Sequence, residues 1–288
     1  MKKRFSLFTV FNVIFLLFVV VATLYPFLHM LAVSLSKDIY VMKGEISIWP
    51  KGWNLDMYKL VLKDPRIATG YVNTIIYVTL GTAIALLVTS LGAYALSKKE
   101  MLFSKGFTLM VIFTMFFSGG MIPTFLVVKG MGLMDTIWAM VLPGAVSTWN
   151  LLIMRTFFSG VPVEVEESGK MDGLTDLGIF FRIVAPLSKA VFATIGLFYA
   201  VALWNNFYYP LLYLRDPDLF PLQVILRNIV LAGQVNSGDV TSVGGDNMIV
   251  EESLKFATII VSTVPILLLY PMLQKHFVKG AMIGAVKG

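Results

Sequence analysis

Long uninterrupted apolar segments constrain this chain more than any other feature. A helix of about 20 apolar residues crosses the roughly 30 Å hydrocarbon core of a bilayer, and a helix satisfies its own backbone hydrogen bonds there. The sequence contains six such runs, at about residues 7–33, 71–96, 106–128, 137–157, 190–212 and 254–274. It therefore predicts an all-α, polytopic membrane protein with six transmembrane helices, folded as one domain over residues 1–288.

Composition supports this class. Hydrophobic residues make up 57% of the chain and charged residues only 14%, whereas soluble domains carry about 25% charged residues. The net charge of +6 is scattered between the apolar runs, so no nucleic-acid surface is expected. The chain has no cysteine and two histidines, His29 and His276, which cannot build a zinc site alone. We interpret His29 as a hydrogen-bonded packing residue, not a proton relay.

The basic residues predict an orientation. With the N-terminus in the cytosol, more than half of the Lys and Arg residues fall in cytosolic segments, as the positive-inside rule requires. Both termini are then cytoplasmic, with residues 36–70, 129–136 and 215–253 outside. Trp49, Trp53 and Trp138 suit the aromatic belt at the membrane interface.

The loop between the fourth and fifth runs, residues 159–189, predicts two short helices with a corner between them. Pro162 fits a first helical position, Asp172-Gly173 is typical of a turn, and Thr175 or Asp176 can cap a second helix that Pro186 ends. Acidic residues follow Pro162, where the helix dipole favours them: Glu164, Glu166 and Glu167.

The same loop is more apolar than a solvated loop requires. Its apolar side chains could dock into a groove on a partner; they are Met171, Leu174, Leu177, Phe180 and Phe181. An elbow lying on the membrane surface without a partner is the alternative that spacing alone leaves open.

At this point the sequence resembles the ABC importer permeases. Their EAA motif, Glu-Ala-Ala, three residues, Gly, nine residues and Ile-x-Leu-Pro, reads here Glu167-Ser168-Gly169, then Gly173, then Ile183-Val184-Ala185-Pro186. The resemblance implies the type I importer fold and a coupling helix that enters a cleft of an ATPase subunit. It assigns the ATPase contact to Glu166, Glu167, Ser168, Gly169, Met171, Asp172, Gly173, Ile183 and Pro186. Because Ser168, Gly169 and Ala185 replace Ala, Ala and Leu, we expect a looser helix contact here.

The resemblance extends to a carbohydrate subgroup. The C-terminal tail, residues 275–288, resembles that of the smaller permease subunit of the maltose transporter, which implies an ATPase contact through Gly284, Val286, Lys287 and Gly288. Other segments, among them Ser118–Pro123 and Pro221-Leu222-Gln223, resemble importers of oligosaccharides, including acidic uronate-type chains. The implied partners are a second homologous permease in a heterodimer, two ATPase subunits, an external solute-binding protein, a saccharide and the bacterial inner membrane.

Polar and aromatic groups within the runs are candidates for the substrate path, because polar groups in a bilayer are costly. Sugars suit aromatic platforms edged by amides. The candidates are Trp204, Asn205, Asn206, Tyr208, Asn73, Asn150 and Ser118. An interfacial aromatic belt explains the group around Trp204 equally well, and Asn73 and Asn150 could instead bond a neighbouring helix.

No P-loop is present, since the Gly169-Lys170 pair lacks the preceding Gly and is followed by Met171. We therefore expect no cofactor on this chain, with ATP and Mg²⁺ on the partner ATPase, and no catalytic residue. The alternatives are a permease for a non-sugar solute, a secondary transporter, which would need acids within the runs, and a membrane enzyme, which would need convergent titratable groups.

Overall fold

The computed structural model describes residues 7–98, 100–238 and 252–268, and all regular structure in these ranges is helical. The first helices in chain order are α1 (Leu7–Ser34), α2 (Asp38–Met42), α3 (Asp56–Lys63), α4 (Pro65–Ser97), α5 (Ser104–Phe116), α6 (Met121–Gly130), α7 (Ile137–Val141) and α8 (Thr148–Phe158). The later ones are α9 (Val163–Met171), α10 (Asp176–Ile179), α11 (Ala185–Leu187), α12 (Lys189–Trp204), α13 (Tyr208–Tyr213), α14 (Leu222–Gly238) and α15 (252–268).

Two of the predicted spans are single unbroken helices. Helices α1 and α4 are long and apolar enough to cross a membrane, and α4 begins six residues before its predicted start. Two bent pairs of helices are α5 with α6 and Asp176–Leu187 with α12. If each pair counts as one span, the described residues contain up to four candidate membrane spans. The predicted count of six remains a prediction.

The predicted third and fourth runs are wrong as continuous helices. Helices α5 and α6 meet at 113°, and Gly120, which precedes α6, has a φ of +86°. An L-residue with a side chain rarely adopts that conformation, so the glycine allows the helix to break at Ser118-Gly119-Gly120. The fourth run divides into α7 and α8 around Pro143-Gly144, because proline lacks the amide proton that a continuing helix needs.

The fifth run is also interrupted. Helix α12 ends at Trp204 and α13 begins at Tyr208, where the side-chain oxygen of Asn206 accepts a hydrogen bond from the Tyr209 amide at 3.2 Å. An asparagine side chain in this position competes with the backbone ladder and starts a new helix. For the sixth run, α15 covers residues 252–268, and the remainder of the predicted span lies outside the described residues.

The chain divides into two compact units. The described parts of Met1–Ala68 and Ile225–Pro265 make up the first, and those of Thr69–Val224 and Ile266–Gly288 the second. The first contains an open cavity of about 540 Å³ lined by residues of α3, α14, α15 and the start of α4. None of the predicted site residues lines it.

In the second unit, α4 and α12 approach closely through glycines. A Cβ at Gly81 would lie 2.7 Å from Leu203 Cδ1, and one at Gly196 would lie 3.2 Å from Leu86 Cδ1. Each helix thus offers a glycine to a leucine of the other, as small residues do in packed membrane helices. A polar contact joins the same helices, since the hydroxyls of Thr89 and Tyr199 are 2.7 Å apart.

Candidate functional site: the elbow between α8 and α12

The elbow, which we define as residues 159–189, has the predicted two-helix form with one shift of register. Helix α9 starts at Val163, so Pro162 is the residue before the helix and not its first position. Glu164 and Glu166 lie in the first turn, where their charge complements the helix dipole. Thr175 caps α10 by accepting a hydrogen bond from the Gly178 amide at 3.2 Å.

The corner between the two helices is a Schellman motif. The amide of Leu174 donates to the carbonyl of Gly169 at 3.0 Å, and the amide of Gly173 donates to that of Lys170 at 3.0 Å. Gly173 has a φ of +77°, and a Cβ there would meet no atom within 4 Å. The motif glycine is therefore needed for its backbone conformation and not for space.

Gly169 serves the opposite purpose. It is buried on α9, and a Cβ there would lie 2.9 Å from Ile183 Cδ1 and 3.1 Å from Ile179 Cγ1. The expectation of a looser contact is wrong for this interface, because the missing methyl lets the two arms approach more closely. Ile183 is partly buried against Gly169, and its predicted contact with the ATPase stays a prediction.

The second arm is bent. Residues Phe180–Val184 form a π-helical turn, and Pro186 lies inside α11, one residue before that helix ends at Leu187. The arm Asp176–Leu187 then meets α12 at 86°. A π-turn widens the helix by one residue and commonly marks functional sites.

Phe180 fixes the elbow to the rest of the second unit. Its ring lies 5.0 Å from that of Tyr94, 6.1 Å from Phe158 and 6.4 Å from Phe192, measured between centroids. The side chain is 1% exposed, so its predicted role in docking a partner is wrong. Aromatic contacts of this kind contribute energy beyond area burial, and they join the elbow to α4, α8 and α12.

Charged contacts tie the elbow to the end of α4. The Lys98 ammonium donates to the Glu166 carboxylate and lies 4.1 Å from the centroid of the Tyr94 ring. Burial lowers the pKa of Lys98, although the nearby Asp176 carboxylate opposes this shift. The Arg155 side chain of α8 donates to the Leu96 carbonyl at 2.9 Å, which satisfies a carbonyl in the last turn of α4.

Sequence reasoning missed the roles of Lys98, Tyr94 and Arg155. Lys98 and Glu166 are 68 residues apart, so no local spacing indicates their contact. The only signal available was a basic residue directly after a predicted span, in a segment predicted to share one membrane side with the acidic elbow.

The solvent-facing surface of the elbow is apolar at its centre and acidic beside it. Met171, at the tip of α9, is 88% exposed, and Leu177 and Phe181 on the second arm are also exposed. Five other residues that were predicted to contact the ATPase are also exposed: Glu167, Ser168, Asp172, Gly173 and Pro186. Exposed apolar side chains fixed on rigid helices form a preorganised surface for a protein partner.

The substrate-path candidates divide into two groups. Trp204 is buried with its ring 6.4 Å from that of Tyr71, and Asn150 is buried in α8. Asn73 donates from its amide nitrogen to the carbonyls of Asp218 at 2.7 Å and Phe220 at 3.1 Å. Trp204 and Asn150 are thus part of the packing, and Asn73 anchors the segment around residues 218–220. Their assignment to the substrate path stays a prediction.

The second group surrounds two helix breaks that meet. The Tyr208 hydroxyl donates to the Met121 sulfur, which brings the break before α13 to the break that contains Ser118. Asn205 donates to the Val201 carbonyl at 3.0 Å, and both Asn205 and Ser118 are exposed. Exposed amide, hydroxyl and phenol groups at interrupted helices are the kind of surface that binds a polyhydroxylated solute.

The metal and tail predictions both stay predictions. No group of three or more carboxylates and histidines suited to a metal ion occurs in the part of the chain that the structure describes. The tail residues Gly284, Val286, Lys287 and Gly288 lie outside the described residues, so their assignment stays a prediction.

Comparison with known proteins agrees with this architecture. Residues 101–283, which include the whole elbow, match the family described as "Binding-protein-dependent transport system inner membrane component". The chain is 43% identical to the polygalacturonan/rhamnogalacturonan transport system permease protein YtcP of Bacillus subtilis (strain 168), over 95% of this chain and 96% of that protein. It is 44% identical to Protein LplC of the same organism, over 99% and 97%.

A solved structure shares the fold. With a TM-score of 0.87 and 30% identity, the chain superposes on one from a bacterial ABC transporter involved in the import of the acidic polysaccharide alginate, covering 96% of this chain and 99% of that one. The matches span nearly the whole length of each protein, and the elbow lies within the family region. The chain therefore belongs to the family of inner membrane components of binding-protein-dependent transport systems.

Proposed function

We propose that this chain is the permease subunit of an ABC importer that carries acidic oligosaccharides of the uronate type across the bacterial inner membrane. The observation that carries the proposal is the agreement of two relatives along nearly the full chain. One relative is named for polygalacturonan and rhamnogalacturonan, and the structural neighbour for alginate. These names share a class of solute, a chain of sugars that bear carboxylates.

The elbow supplies the mechanical part of the proposal. Met171, Leu177 and Phe181 present an apolar surface to an ATPase cleft, while Glu167 and Asp172 provide charge beside it. Because Phe180 and the Lys98–Glu166 pair join the elbow to α4, α8 and α12, movement of the partner is transmitted to these helices. The permease then alternates between inward-open and outward-open states around its substrate path.

The other subunits of such an importer complete the assembly. ATP and Mg²⁺ bind to two ATPase subunits, a second permease completes a heterodimer, and an external binding protein delivers the saccharide. This chain carries no catalytic step. Both of its termini face the cytosol, which places the elbow, and the tail at residues 275–288, on the ATPase side.

For the substrate path, the meeting point of the two helix breaks is the strongest candidate. Asn205, Asn206, Tyr208 and Ser118 offer amide, phenol and hydroxyl groups at positions where the helices are interrupted. Groups of this kind bind sugar hydroxyls, and a carboxylated sugar adds a demand for hydrogen-bond donors.

The proposal is tested by ATPase activity of the reconstituted complex with its binding protein across a panel of solutes. Oligogalacturonates and oligoalginates should stimulate ATP hydrolysis, and matched neutral oligosaccharides should stimulate it much less. Equal stimulation by neutral sugars would overturn the acidic class, and stimulation by a non-sugar solute alone would overturn the carbohydrate class. In either case the permease assignment would stand.

A matched pair of variants tests the elbow in the same assay. Glu167→Lys should abolish ATP-driven uptake while leaving saccharide delivery by the binding protein intact. Glu164→Lys makes the same charge change one turn earlier on α9, outside the family motif, and should retain most of the uptake. Equal loss in both variants would show that the effect comes from charge alone.

A further inference from the structure

The segment that follows α2 folds back along the end of α1. Ile46 packs with Ala32 and Val33 in a small buried cluster, and the Ser47 carbonyl lies 2.8 Å from Nδ1 of His29. His29 precedes the last residue of α1, Ser34, by five positions, which corresponds to about 7–8 Å along the helix axis. The tip of this segment therefore lies beside the last turns of α1 and not beyond them.

The chain then returns to the end of α1 through a fixed set of hydrogen bonds. The Lys51 amide donates to Ser36 Oγ at 3.0 Å, the Lys37 amide donates to the Lys51 carbonyl at 3.1 Å, and the Asn54 amide donates to the Leu35 carbonyl at 2.9 Å. Residues 46–53 thus form a closed loop held at both ends. We name it the interface loop.

Large apolar side chains of the interface loop point away from the protein. Trp49 is 82% exposed and Trp53 is 72% exposed, and Ile48 beside them is exposed as well. The neighbouring turns of α1 also expose apolar side chains, namely Leu24, Phe27 and Leu28. Because the Ser47 carbonyl contacts His29, the loop and this flank of α1 are neighbouring apolar surfaces.

Basic residues surround this apolar surface. Lys37 and Lys43 are exposed near the end of α1, and Lys51 is exposed with an ion pair to Glu45 at 3.2 Å. Lysines at this level suit lipid phosphates, while indole rings suit the boundary between headgroups and acyl chains.

We propose that the interface loop is a membrane anchor, in which Ile48, Trp49 and Trp53 insert among the phospholipids of the leaflet at the carboxyl-terminal end of α1. The inference requires that α1 crosses the membrane and does not depend on the transported solute. By its hydrogen bond to Ser47, His29 holds the loop at the inserted depth. The anchor fixes the tilt and rotation of α1, as interfacial aromatic residues do.

The absence of cysteine from the chain allows a direct test. Single nitroxide spin labels are placed at Trp49→Cys and Ile48→Cys in the full importer in phospholipid nanodiscs, with Lys59→Cys as control. Lys59 is exposed and paired with Asp56 at 3.0 Å in α3. Oxygen should relax the labels at 48 and 49 more than a water-soluble nickel chelate does, and the order should reverse at 59.

The opposite order at position 49, with the nickel chelate more effective than oxygen, would overturn the proposal and place the loop in water. Protection of position 49 from both reagents would overturn it in favour of a protein partner, and protection only after the binding protein is added would identify that partner. Trp53→Cys supplies an independent reading if the label at 49 prevents assembly.

Discussion

Lys98, directly after α4, forms an ion pair with Glu166 in the first turn of α9. The side chains are only 26% and 16% exposed, so loss of one partner costs more than it would in a surface ion pair. Because Lys98 directly follows α4 and Glu166 lies in the elbow, the contact links these two elements directly. The following predictions test this link and the packing around it.

Reversal of one charge in this pair should weaken the elbow, and reversal of both should restore it. Glu166→Lys brings two ammonium groups together and should cost about 1–3 kcal/mol of stability, with reduced ATP-driven uptake. The double variant Lys98→Glu with Glu166→Lys should recover most of both. Melting temperature and uptake in proteoliposomes provide the measurements.

Lys170 and Glu100 supply the control for this experiment. Their charged atoms are 3.8 Å apart and both side chains are exposed, so Lys170→Glu should change melting very little. A double reversal at 98 and 166 that performs no better than the single variants would show that the pair does not couple these elements.

Gly169 and Gly173 of the elbow should respond differently to alanine. Gly169→Ala introduces a Cβ at 2.9 Å from Ile183 Cδ1, and overpacking of this kind costs about 1–3 kcal/mol. Ile183→Val removes that methyl group and should relieve most of the loss. Thermal unfolding of the four variants in a double-mutant cycle measures the coupling.

Gly173→Ala is the matched control, because its cost of about 1–2 kcal/mol comes from a positive φ and not from a steric contact. Ile183→Val should therefore fail to rescue it. If Ile183→Val rescued both alanine variants equally, a steric cost at Gly169 and a backbone cost at Gly173 could not be distinguished, which would contradict the prediction.

The hydroxyl of Tyr199 should add stability beyond the packing of its buried ring. The hydroxyl lies 2.7 Å from that of Thr89 and accepts the Ser147 amide at 2.9 Å, which joins α12 to α4 and to the residue before α8. Tyr199→Phe should lower stability by about 0.5–1.5 kcal/mol, the range for hydrogen bonds between membrane helices. Once Tyr199→Phe is present, Thr89→Val should add little in a thermal melt; full additivity of the two losses would contradict the contact.

Asp135 should give the connection between α6 and α7 a dependence on acidic pH. Its carboxylate accepts the amides of Arg215 and Asp216, and these hydrogen bonds lower the pKa of Asp135. Since the folded pKa is below the ordinary value of about 3.9, the carboxylate stabilises the fold above that value and loses this effect as pH falls through the folded pKa.

Asp135→Asn tests this dependence while tolerating the left-handed backbone, φ +55°, at this residue. The melting temperature of the unchanged protein should exceed that of the variant at neutral pH, and the difference should shrink as the pH falls below about 4. A difference that stays constant with pH would contradict a role for the charge.

Local sequence patterns predicted the class, the elbow and its caps, because these depend on neighbouring residues. Thr175 was one of two candidate caps, and the turn at Gly173 follows from Asp-Gly chemistry alone. The break after Phe117 was partly visible in Ser118-Gly119-Gly120, although a bend of 113° requires the positive φ of Gly120.

Other features depend on distant partners. Phe180 and Phe181 are adjacent and chemically identical, yet one is buried and the other exposed, because the π-turn and the rings of Tyr94 and Phe158 select one of them. Asn73 reads as a polar residue within a span until its contacts, more than 140 residues away, are known. The sequence did not predict these roles because the contacting residues are far apart along the chain.

The central claim is that the elbow contacts the ATPase, and a cross-link at Met171 tests it most directly. In a chain without cysteine, Met171→Cys carries a short thiol-reactive photo-cross-linker in the assembled importer, with Lys59→Cys as control. We predict a covalent product of this chain with the ATPase subunit from position 171 and none from position 59. Labelling of position 171 by a membrane-impermeant reagent added outside intact cells, without an ATPase product, would contradict the account.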